Sequence, residues 1–252
     1  MTNRQSRAHG APAPDAAMVD RLVQQVRLRL QEGGRERTAV EIRRSHGAEV
    51  VCYGVNPSRV HQIGMDLVRQ TRTGGLALAM ELADPLWRSS NLEESMVATQ
   101  ILGAQGRHIS GVNFERFDQW AGTATTRIAA DGIGLQLVSK AMAAKPSLAA
   151  RLLEWAKSPH KERRRAAVMA FAPLVREGRF LSDALLVVEQ IMLDDDLNVQ
   201  DAASHVLFEA SRMQGERVFE FLKQWRGKAP RDLLDKAAQK LPEAQRGELL
   251  NG

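Results

Sequence analysis

At 252 residues, 27.9 kDa and 44% hydrophobic residues, the chain suffices for one large domain or a single repeat array. No apolar run approaches the ~18 residues of a membrane span. A lone Cys52 excludes an internal disulfide and points to a reducing, cytoplasmic setting, with Cys52 itself a packing residue. The net charge of +5 and isoelectric point of 9.7 admit a polyanionic partner.

The charge is placed in blocks. Residues 1–75 carry twelve Arg, no Lys and seven acids, a net +5. Arg151 to Arg179 holds eight bases and three acids, whereas Phe180 to Glu209 holds seven acids and no base. A basic block beside an acidic one predicts two different surfaces, the basic one a candidate nucleic-acid footprint.

The N-terminal MTNRQSRAHGAPAP lacks the apolar run of a secretory signal. Residues 1–15 are expected as a disordered tail, and 16–252 as one helical-repeat domain. Met18, Leu22, Val26 and Leu30 fit one helix face. AEVVCYGV (Ala48–Val55) is the single stretch with strand character. Asn56 as cap and Pro57 at the first helical position then open a helix with Val60, Ile63, Leu67 and Val68 inside. A cap at Ser90 or Asn91 precedes Leu92, Met96, Val97, Ile101 and Leu102. Ile128, Leu135, Val138 and Met142 continue the pattern. Ser158-Pro159 opens the next helix and Gly178 ends it. Leu181–Leu193, Val199–Met213, Val218–Trp225 and Leu233–Leu241 complete the series.

Helices of about 10–16 residues with short connections predict an all-α fold of stacked antiparallel pairs. RRRAAVMA and VQDAASHV place Ala166-Ala167 and Ala202-Ala203 one repeat length apart, and small residues in tandem let neighbouring helices approach closely. Basic residues on several inner helices would form a continuous positive track.

SPHKERRRAAVMAF (Ser158–Phe171) sets the densest positive charge, Lys161 and Arg163, Arg164 and Arg165, on an apolar helix. Three successive residues span nearly a full turn, so they cannot all face one side. Two roles stay open: contact with a phosphate backbone, or salt bridges to Glu162 or the acidic block. Arg127 stands four residues before Asp131, at a spacing that lets it pair with that carboxylate or reach a phosphate. Trp87, Trp155 and Trp225 read as core and His205 as a packed histidine. Asp194-Asp195-Asp196 reads as a helix cap rather than a metal site, since consecutive carboxylates splay apart. No Cys/His cluster, phosphate-binding glycine loop or Gly-x-Ser-x-Gly elbow is present, so no metal or cofactor is expected.

Four segments together resemble the DNA alkylation repair family, the AlkD-like helical-repeat DNA glycosylases. They are YGVNPSRVHQIGMDLV (Tyr53–Val68), DPLWRSSNLEESMVATQIL (Asp84–Leu102), TTRIAADGIGLQLV (Thr125–Val138) and SPHKERRRAAVMAF itself. The resemblance implies a curved array of HEAT-like helix pairs. It also implies a basic concave face holding duplex DNA by its backbone, and excision of N3- or N7-alkylated purines. It places the catalytic aspartate at Asp131 and a DNA-contacting arginine at Arg165. Two aromatic residues precede that aspartate in the family; here they are Ala129 and Ala130. A tryptophan and an arginine further on are His205 and Phe208 here. Trp120 is the aromatic that could stand in for those missing. The competing expectation is a non-catalytic helical-repeat scaffold binding a protein partner.

Overall fold

Asp15 accepts the Ala17 N–H at 3.0 Å and starts the first helix, α1 (Ala16–Gly33). The computed structural model describes residues 15–251; the expected tail therefore lies outside them, except for the capping Asp15. There follow α2 (Glu36–His46), α3 (Pro57–Gln70), α4 (Gly75–Arg88), α5 (Leu92–Gly103), α6 (Phe114–Thr123), α7 (Arg127–Asp131), α8 (Ser139–Ala144), α9 (Ala149–Trp155), α10 (Lys161–Met169), α11 (Ala172–Arg176), α12 (Leu181–Glu189), α13 (Leu197–Trp225), α14 (Arg231–Ala238) and α15 (Glu243–Leu250). The fold is all-α, an array of packed helices of the α-solenoid kind.

Among the described residues, side-chain caps set five of the fifteen α-helix starts, those of α1, α3, α5, α7 and α13. Asn56 accepts the Ser58 N–H at 2.9 Å, with Pro57 at the first position of α3. Asn91, not Ser90, accepts from Glu93 and Glu94 at 3.0 and 3.2 Å. Asp196 accepts from Asn198 and Val199 at 2.8 and 3.3 Å, the helix cap expected of the aspartate run.

Some boundaries differ from the sequence reading. The helix opened by Ser158-Pro159 begins at Lys161 and stops at Met169, because Pro173 lacks the N–H to continue it and α11 restarts around that proline. Gly178, with φ +77°, then ends the unit. The helix expected over 181–193 ends at Glu189. The two helices expected between Val199 and Trp225 follow one another directly as α13, broken at the non-helical Gln214 (φ −138°, ψ 46°), where the first of them was expected to end.

Ala48–Val55 forms no strand. Its extended part runs beside α5, and its backbone finds partners outside any sheet. Glu93 accepts the N–H groups of Tyr53, Gly54 and Val55 at 3.0, 2.8 and 3.0 Å. Leu92 donates to the Val51 carbonyl at 2.9 Å, and Arg35 to that of Gly54 at 3.0 Å. A buried carboxylate thus does what a neighbouring strand would do.

α3, α5, the α7–α8 rod, α10, α13 and α14 pack in succession as an inner layer, with α4, α6, α9 and α12 against it. Contacts one repeat apart recur: Trp87 donates to Thr123 across 36 residues, Arg165 to Asp131 across 34 and Lys236 to Asp201 across 35. Ala166, Ala167, Ala202 and Ala203 are fully buried between α10 and its neighbours, as the tandem small residues predicted. Trp87 and Trp155 are core residues, and Trp225 packs partly buried on the edge of the core.

Candidate functional site

Thr126 accepts the Ala129 N–H at 3.2 Å and starts α7, whose last residue is Asp131. The backbone then widens into π-helical turns over Gly132–Val138, with the Ser139 N–H reaching the Gly134 carbonyl five residues back. Two glycines explain the close packing here. A Cβ on Gly132 would lie 2.7 Å from the Thr99 hydroxyl in α5. One on Gly134 would lie 2.7 Å from the Ala166 carbonyl and 2.9 Å from the Ala170 nitrogen in α10. The rod therefore seats directly on the backbone of α10, and Asp131 faces Arg165. Wide turns of this kind occur often at functional sites.

Arg165 grips Asp131 with two prongs. Nε donates to Oδ1 at 2.7 Å and Nη2 to Oδ2 at 2.9 Å. Nη1 donates to the Asn198 carbonyl and lies 3.7 Å from the Asp201 carboxylate. Lys236 in turn sits 3.2 Å from Asp201. Four inner helices thus contribute one residue each to a row of alternating charge: Asp131, Arg165, Asp201, Lys236. The Arg165 side chain is 7% exposed, that of Asp131 25%.

Two depressions flank the pair on the inner face. One brings Asp131 together with His61, Thr99, Gln100 and Gln136. The other joins Arg165 to Met169, His205, Phe208 and Lys236. A third hollow is lined by Arg127, Arg165, Lys161 and His46 at the end of α2. Arg127 is exposed and makes no ion pair among the described residues. Burial, and secondarily the Arg127 guanidinium, hold His46 below the ordinary imidazole range; its Nδ1 is buried without a partner. Arg127, Asp131 and Arg165 therefore gather around one region of the inner face.

The other sequence candidates point elsewhere. Arg163 pairs with Asp118 of α6 and lies over the Trp155 ring. Arg164 holds Asp194 at 2.6 Å and Asp195 at 3.2 Å. Lys161 pairs with Asp196 at 3.1 Å, which raises the lysine's pKa. Asp196 sits below its usual value: burial alone would raise it, but Lys161 and the N–H groups of Asn198 and Val199 outweigh that. The acidic run Asp194–Asp196 thus neutralises Lys161 and Arg164, while Arg163 is held by α6. Trp120 is 4% exposed and stacks on Trp87 at 4.7 Å, inside the core and away from the inner face. His205 lines a depression rather than packing fully inside.

In the sequence Asp201 stands only as one of the acids of the acidic block, and nothing singles out Lys236. The repeat length counted on from Asp131 and Arg165 reaches both, so the signal existed once the register was known. No curated protein gives a significant match to the chain. The family model described as DNA alkylation repair enzyme matches residues 26–241. Over that span, which runs from within α1 to just past α14, the order of segments and the helical array agree, and the chain belongs to the DNA alkylation repair enzyme family.

Proposed function

We propose that the protein holds duplex DNA against the inner face and hydrolyses the N-glycosidic bond of N3- or N7-alkylated purines. Alkylation at a ring nitrogen makes the base cationic and a good leaving group. Its departure leaves an oxocarbenium-like sugar, which a nearby carboxylate stabilises while orienting water. Asp131 is the carboxylate for this role. The observation that carries the reading is its two-pronged grip by Arg165, which fixes both oxygens on the inner face. Arg165, saturated by Asp131 and the Asn198 carbonyl, serves as a positioning residue more than as a phosphate clamp. Arg127, four residues earlier, is the cation available for a flanking phosphate. Phe208 offers an aromatic face beside Arg165, and Lys240 already lies over that ring at 5.2 Å, the contact a cationic base would make.

Release of free base from duplex DNA containing N7-methylguanine tests this. The native protein releases it, and Asp131→Asn does so roughly 10²–10³-fold more slowly; release at the native rate in Asp131→Asn sinks the mechanism.

A second reading, a non-catalytic scaffold for a protein partner, draws support from the neutralisation of Lys161 and Arg164 by Asp194 and Asp196. Affinity for plain duplex DNA that does not fall with salt would favour it.

A further inference from the structure

Around Asp131 every close cation except Arg127 is matched by a carboxylate, so the charge that attracts a polyanion lies elsewhere. A cleft between the turn that joins α3 to α4 and the loop after α5 is lined by Arg69, Arg72, Arg107 and His108, and by no carboxylate. Arg72 and Arg107 are exposed and make no ion pair among the described residues; the Arg107 Nε lies 3.1 Å from the His108 ring. Arg69 shares Asp66 with Arg29, two guanidiniums on one carboxylate.

We infer that this cleft is a second phosphate-backbone site, in which Arg72 and Arg107 hold the duplex away from Asp131. The inference rests on the DNA-binding reading above. The backbone is shaped for close approach. Gly75, at φ +57°, has open space where a Cβ would stand, and no side chain caps the first turn of α4. The floor is fixed: Lys140 donates to the Gly103 carbonyl at 2.6 Å and packs under Gly106. Compensation of helix dipoles explains a cation in the last turn of a helix, as Arg69 is in α3. It does not explain Arg72, Arg107 and His108, which lie beyond the helix ends in short 3₁₀ turns and line the same cleft.

Lys140, which packs under the cleft, is nine residues beyond Asp131 along the same helical stretch, seven of them in the wide turns of Gly132–Val138, so the cleft and Asp131 are separate sites carried by one rod.

The test compares salt dependence of affinity for a plain 20-base-pair duplex. In Arg72→Gln/Arg107→Gln, the slope of log affinity against log salt becomes shallower by about 1.8, two phosphate contacts at about 0.9 each. Affinity at low salt falls at least tenfold, with an unchanged melting temperature. Lys223→Gln/Arg246→Gln removes the same charge from ion-paired sites elsewhere and changes the slope by less than half as much. An unchanged slope in the first variant, or equal changes in both, overturns the inference while leaving the Asp131 reading to base release. Loss of base release in no variant tested at Asp131, with the slope changing as expected, keeps the cleft and removes the excision mechanism. A native protein that binds no duplex at low salt overturns the cleft outright.

Discussion

Arg164 and Asp194 form a two-pronged ion pair across adjacent units, Nε to Oδ2 at 2.6 Å and Nη2 to Oδ1 at 2.7 Å, with side chains 14% and 5% exposed. Arg164 also donates to the Ser158 and Pro159 carbonyls. The middle arginine of the triplet thus ties the turn before α10 to the turn before α13.

Removing one member leaves the other's charge poorly solvated. Asp194→Ala should cost about 3 kcal/mol in urea unfolding, as should Arg164→Ala. The double variant should cost much less than the sum. Additive losses would show that the pair contributes nothing beyond its separate members.

Asp131→Asn keeps the shape but not the charge, and an amide cannot accept both guanidinium prongs. Base release should fall roughly 10²–10³-fold, while affinity for plain duplex DNA stays within about twofold, since Asp131 holds no phosphate. A parallel loss of affinity would move its role from chemistry to binding.

Gly134→Ala places a methyl group against the Ala166 carbonyl and the Ala170 nitrogen, backbone atoms that cannot swing aside. The expected cost is about 2 kcal/mol, with base release reduced as well, because the rod carrying Asp131 must move off α10. Full stability in thermal unfolding would show that the π-turn absorbs the strain.

Tyr53 is the chain's one tyrosine, and its hydroxyl donates to Glu94 at 2.6 Å. Burial first, then the Glu94 carboxylate, push its pKa up to about 12. A raised pKa favours the protonated form in the folded state. The associated stability is therefore present below the unfolded value near 10 and lost as pH rises through 10 to 12. Ultraviolet titration should show a single phenolate transition near 12, and Tyr53→Phe should abolish the stability loss in that window. A transition near 10 in the folded protein contradicts this.

Glu93→Gln replaces an acceptor of three backbone N–H groups by an amide that must turn a donor toward them. A loss of about 2–3 kcal/mol is expected, with faster amide exchange confined to Tyr53, Gly54 and Val55. Unaltered exchange there would mean that the segment is held by its packing alone.

The sequence by itself determined the all-α class and several of the helix starts. Asn56, Asn91 and Asp196 cap because each acts on N–H groups two or three residues away, and such signals survive in any context. It also determined the close contact of α10 with its neighbours, since only small residues at Ala166 and Ala167 permit it. The strand-like Ala48–Val55 misled for the complementary reason: its alternation reports a half-buried extended segment, and only the fold supplies Glu93 in place of a partner strand. Only the tertiary structure decided what the arginines do. Successive helical residues point about 100° apart, so Arg163, Arg164 and Arg165 each meet a different neighbour: Asp118, Asp194 and Asp131. Which carboxylate lies there depends on the register of packed units, a relation between residues 30 or more positions apart that no local pattern encodes.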